Sequence, residues 1–172
     1  MQPNEALSVA AQIAVALAGF AGVVVAFRSR SLHDWSPVDK FRLWLLLGNA
    51  LLPLFASLFG MLLLTINPTP PSIWRSSSGF SLFFFFAFAF LTRRRQAELG
   101  PVVIKEMGAF RYIFYLLGAM ATAIGVLQAY NALKSGVFWM FYAAITFQLA
   151  VGAVQFARMI LLPPHPERDL DG

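Results

Sequence analysis

An all-α, polytopic membrane helix bundle with five transmembrane helices is the fold class this sequence predicts. Three observations predict it. Hydrophobic residues make up 59% of the 172 and charged residues only 12%, about half the ~25% of a soluble domain. The mean hydropathy is +0.69. Apolar runs long enough to cross a ~30 Å hydrocarbon core, which takes ~20 helical residues, recur along the chain. A water-soluble core of this size could not hide 18 phenylalanines behind so few polar residues. The bundle is expected to occupy residues 1–162, with 163–172 ("PPHPERDLDG") as a short polar tail.

The first span is Leu7–Phe27. The segment before it, "MQPNEALS", carries no basic residue, and the run exceeds the ~7–15 residues of a signal-peptide core, so it reads as a span. Ala6, Ala10, Ala14, Ala18, Gly22 and Ala26 recur every four residues. This small-xxx-small register predicts a helix-packing seam, because helices in lipid associate through close backbone approach.

The second span is Phe41–Ile66, opened by Ser36 at the N-cap, Pro37 at N1 and Asp39 at N3. Asp39 also suits the positive end of the helix dipole. Pro53 has no N–H for the carbonyl of Asn49, which predicts a kink. The Asn49 amide needs a partner in hydrocarbon, and Gln155 in the fifth span lies at a matching depth. An interhelical Asn49–Gln155 hydrogen bond is therefore expected. "NPTPP" (Asn67–Pro71) then turns the chain.

The third span is Trp74–Thr92. Counted strictly as Gly79–Thr92 it is too short, so it must extend through Ser76, Ser77 and Ser78 or lie in thinned bilayer. Its phenylalanine run is expected to face lipid and neighbouring helices, with Arg93, Arg94 and Arg95 as the anchor where it leaves the membrane. The fourth span, Phe110–Tyr130, carries a shorter small-residue face at Ala121, Gly125 and Ala129. "NALKSG" (Asn131–Gly136) predicts a tight hairpin into the fifth span, Val137–Leu162.

Of 13 lysines and arginines, 11 fall on the side of the first and third connections and the chain's end; only Arg75 and Lys134 fall on the other. The positive-inside rule then puts the N-terminus outside and the C-terminus in the cytoplasm of a cell inner membrane, in keeping with small multi-span bacterial proteins. The same rule accounts for the sequence pI of about 10.1 without a nucleic-acid partner. The absence of cysteine excludes disulfides, thiolate metal sites and cysteine nucleophiles.

No Asp, Glu, Lys or Arg lies in the middle of a span, which argues against an ion-coupled pump. There is no H-E-x-x-H, P-loop or G-x-G-x-x-G, and neither histidine lies in a span to ligate haem. No catalytic residue, metal ligand or cofactor is predicted. Neutral polar residues gather toward one side, and Gln12, Asn67, Arg75, Ser78, Gln128, Asn131 and Gln148 could form a polar vestibule around Arg75 as a buried cation. The expected function is a passive channel or facilitator that oligomerises through small-residue helix faces. An accessory or scaffold subunit of a larger membrane complex is the alternative. A lipid-modifying enzyme using His33 and Asp34 at the cytoplasmic face is a second one. The expected partners are the lipid bilayer and either further copies of the chain or a larger complex.

Overall fold

The computed structural model describes residues 2–27, 35–66, 69–100 and 110–161. Among them the chain is all-helical: α1 Pro3–Phe27, α2 Pro37–Ile66, α3 Pro70–Leu99, α4 Phe110–Tyr130 and α5 Phe138–Leu161, with a π-helical turn at Asn131–Ser135 joining the last two. All five α-helices are long and apolar enough to cross a membrane. The connection holding His33 and Asp34, the start of the Asn67–Pro71 turn, and the 163–172 tail lie outside the described residues.

The helix starts reflect local chemistry. Ser36 Oγ accepts the Asp39 N–H at 3.1 Å, so the predicted cap of α2 is formed. Asp39 in turn accepts a hydrogen bond from Arg42 Nη1 at 3.1 Å, and both side chains are largely buried. At α3, Pro70 and Pro71 come directly after Thr69, whose carbonyl accepts the Ser72 N–H at 2.9 Å. Pro at the first helical positions costs nothing, since those N–H groups have no intrahelical partner.

α3 is longer than the third apolar run. It continues from Pro70 through Arg93–Arg95 to Leu99, 30 residues, and stops only at Gly100, whose φ is 67°. Arginine, glutamine, alanine and glutamate are good helix formers, so a drop in hydropathy is not a helix stop. Arg94 pairs with Glu98 at 3.4 Å, and the Arg95 guanidinium sits 4.0 Å from the Trp44 ring centre.

α1, α2 and α5 form the core. Gly60 of α2 faces Leu7 and Phe141, and Gly152 of α5 faces Leu17 and the main chain of Asn49. These contacts make α2 antiparallel to both partners. One apolar cluster, including Leu7, Ala14, Ala50, Phe141 and Ile145, fills one half; another, with Ala21, Trp35, Leu46 and Met159, fills the other. Phe156 packs against both and joins them. α3 leans on α2 through Phe59–Phe80 (4.2 Å between centroids) and Trp44–Phe88 (5.7 Å). α4 is peripheral, burying only Gly125 and Gln128 among its described side chains.

The buried stripe of α1 is Ala6, Leu7, Ala10, Ala14, Leu17 and Ala21. Of the expected seam, Ala10 and Ala14 are buried, Ala18 is half-buried, and Gly22 and Ala26 are exposed. The reason is geometric. Four residues turn a helix about 40° past one full turn, so an i+4 register drifts off any straight partner within a few turns. The mixed steps of four and three in the buried set hold one face to α2.

Candidate functional site

The polar residues at the hairpin end were the sequence's best candidate for a site, and Asn131 is their centre. It opens the π turn and is fully buried. Its Nδ2 donates to Ser78 Oγ of α3 at 2.8 Å and to the Val137 carbonyl at 3.0 Å, while its Oδ1 accepts the Val137 N–H at 2.8 Å. One side chain thus ties α3, the turn and the start of α5 together. Gly136 closes the turn with φ 62°, its N–H donating to the Asn131 carbonyl at 3.0 Å. A Cβ there would stand 2.5 Å from the carbonyl oxygen of Pro71, so glycine is required by both conformation and space.

Around this staple the other residues are dispersed. Gln128, one turn earlier on α4, is buried and donates through Nε2 to the Met140 carbonyl of α5. Gln148 is buried two turns further along α5 than Met140. Its Oε1, like Gln128 Oε1 and the hydroxyls of Ser57 and Ser77, makes no hydrogen bond among the described residues. Arg75 is exposed rather than buried, and its Nη2 donates to the Lys134 carbonyl at 2.5 Å, capping the π turn. Gln12 is exposed on α1. Asn67 lies outside the described residues. Among the described residues the structure joins Asn131 to Ser78, ties Gln128 to the Met140 carbonyl instead, and does not gather Gln12, Arg75, Ser78, Gln128, Asn131 and Gln148 into a basin around a buried cation.

The Asn49–Gln155 hydrogen bond is not formed. α2 and α5 do pack together, but Asn49 Nδ2 donates to the Leu45 carbonyl one turn back at 2.8 Å, and Gln155 Oε1 accepts from Arg158 Nη1 at 3.4 Å. A carbonyl of the same helix satisfies an asparagine amide without any interhelical geometry, so the local bond wins. α2 runs as one helix through Pro53. The Asn49 carbonyl that Pro53 leaves without a donor is 3.5 Å from where a Cβ of Gly152 would be. The missing side chain of Gly152 lets α5 approach that bared main chain.

Among the described residues no group of three or more His, Asp or Glu could hold a metal ion. A feature that sequence reasoning missed is a cleft of about 220 Å³ between α2 and α3, lined by Leu52, Phe55, Ala56, Phe80, Ser81 and Phe84. Phe55 and Phe84 are exposed and form its rim. The only sequence signal for it is a small residue on each helix, Ala56 and Ser81, set among phenylalanines.

Comparisons with protein-family models, with curated proteins and with solved structures found no match to this chain.

Proposed function

We propose that the chain is a multi-pass protein of a cell inner membrane that acts as a non-catalytic assembly subunit, a scaffold on which other membrane-embedded chains pack. The observation that carries this reading is the filled space between α1, α2 and α5. Two apolar clusters joined by Phe156 run from the hairpin end to the arginine end. Among the described residues these clusters fill the space between the three helices with apolar side chains, whereas permeation through one chain would need a continuous polar lining. The Asn131 joint supports the same reading, since its polar groups are spent on holding helices together.

A second reading, a facilitator whose path lies between copies, draws on α1. Gln12 is exposed there, on the outward side of a helix that also leaves Gly19 and Gly22 without any neighbour within 4 Å of a Cβ position. An amide left in hydrocarbon favours a partner helix that can satisfy it. The full chain reconstituted alone into liposomes separates the two. The scaffold reading expects no release of small ions or neutral solutes over empty vesicles; solute release proportional to protein would overturn it in favour of the facilitator.

The basic-residue asymmetry favours a cytoplasmic arginine end. A cysteine-free chain makes this direct to test. In intact cells, a membrane-impermeant maleimide should label Lys134→Cys and spare Arg94→Cys. The reverse pattern would invert the topology, and equal labelling would remove the bilayer placement.

A further inference from the structure

We propose that the cleft between α2 and α3 is a binding site for an uncharged, ring-bearing lipophile with a carbonyl acceptor, of the quinone type. Three features of the cleft select that chemistry. Its walls are aromatic: Phe80 stacks on Phe59 at 4.2 Å and 9°, and meets Phe84 at 4.7 Å and 51°. Ring faces and edges of this kind hold a flat ring in offset or edge-on contact. Its volume, about 220 Å³, suits one substituted ring; a cavity of ~150 Å³ with apolar walls accepts benzene. Ser81 supplies the polar point of attachment. It lines the cleft and is 6% exposed, and its hydroxyl makes no hydrogen bond among the described residues. A hydroxyl donor without an acceptor at an otherwise apolar wall gains from one, and a ligand carbonyl supplies it.

Depth narrows the choice further. Ser81 stands near the middle of α3, ~18 Å along the helix from Arg93 at 1.5 Å per residue. Ester carbonyls of phospholipids lie at the interface, ~15 Å from the midplane, and do not reach it. An acyl chain reaches it but offers nothing to the hydroxyl. A quinone head on an apolar tail meets both conditions, and the rim formed by Phe55 and Phe84 opens sideways, where such a molecule would arrive from lipid.

The site rests on the proposed bilayer placement, which the paired maleimide labelling tests separately. The full chain in liposomes would be irradiated with a photoreactive azido-benzoquinone bearing a decyl tail, and the labelled peptides mapped. Labelling is expected to concentrate on the α2 and α3 peptides that line the cleft and to be competed by unmodified decyl-benzoquinone. Ser81→Ala should weaken half-saturation about 3- to 10-fold, the equivalent of one hydrogen bond. Leu52→Trp, which fills the cleft from a half-buried wall, should abolish the labelling, and Phe86→Ala on the exposed side of α3 should leave it unchanged. Labelling spread evenly over all exposed helix faces, or unaltered by both Ser81→Ala and Leu52→Trp, would overturn the site. Competition by hexadecane as strong as by the quinone would overturn the carbonyl assignment and leave an acyl chain as occupant.

Discussion

Replacing Asn131 with alanine should destabilise the bundle more than any other single polar truncation among the described residues. The side chain makes three hydrogen bonds of 2.8–3.0 Å from a fully buried position. The bond to Ser78 joins two helices and is worth ~0.6 kcal/mol, and the bond to the Val137 carbonyl adds a similar amount. The variant also leaves the half-buried Val137 N–H without its acceptor, at a cost of ~1–3 kcal/mol. The expected loss is about 3 kcal/mol, roughly two orders of magnitude in the folding constant. Reversible unfolding of the full chain in mixed detergent micelles, monitored by tryptophan emission and far-ultraviolet circular dichroism, would measure it. Asn49→Ala is the control: its amide serves only the Leu45 carbonyl of its own helix, so ~0.6 kcal/mol or less is expected. Ser78→Ala removes one of the three Asn131 bonds and should fall between them. Equal shifts for Asn131→Ala and Asn49→Ala would refute the idea that the hairpin end is stapled through this residue.

The packing sets three further outcomes. Gly136→Ala should cost more than the ~1–2 kcal/mol of a left-handed non-glycine residue, because its Cβ also meets the Pro71 main chain; Gly79→Ala, with nothing within 4 Å, should be neutral or slightly stabilising in the same unfolding assay. Ala14→Leu, at a fully buried position of α1, should destabilise by ~1–3 kcal/mol through overpacking, while Ala26→Leu at the exposed end of the same register should change nothing; matching effects would contradict the drift of the seam. Arg95→Ala removes a cation from above the Trp44 ring at 4.0 Å, and a loss of ~0.5–1 kcal/mol with a shift in Trp44 emission is expected.

Much of the architecture was legible because it depends on short-range chemistry. The cap at Ser36, the hairpin at Asn131–Gly136 and five long apolar helices are local features, and hydropathy, proline and glycine announce them. α3 was harder. Its two ends are serine-rich and arginine-rich, so hydropathy falls while helix propensity does not, and only Gly100 ends it. The candidate site was read by residue type and depth, which place Ser78, Gln128 and Asn131 on the correct level but say nothing of rotation. Rotation about each helix axis decides that Arg75 points outward, that Gln12 stays on the surface and that Asn49 bonds its own turn. The cleft was invisible for the same reason: it exists because two small residues on α2 and α3 meet between phenylalanines, a pairing set by how two helices cross.

The contact between Gly136 and Pro71 also carries a consequence for the order in which the protein is made. Main chain meets main chain there, across a gap that only a residue without a side chain leaves open. Residues on either side of that junction cover part of α3: Trp74 lies against Phe138 and Phe141, and Ser78 against Asn131. A chain that ends after the first three helices leaves that indole and that hydroxyl without these partners. The bundle is thus incomplete until its last helical pair seats on α3, and a chain cut before that pair should unfold at lower denaturant than the full chain.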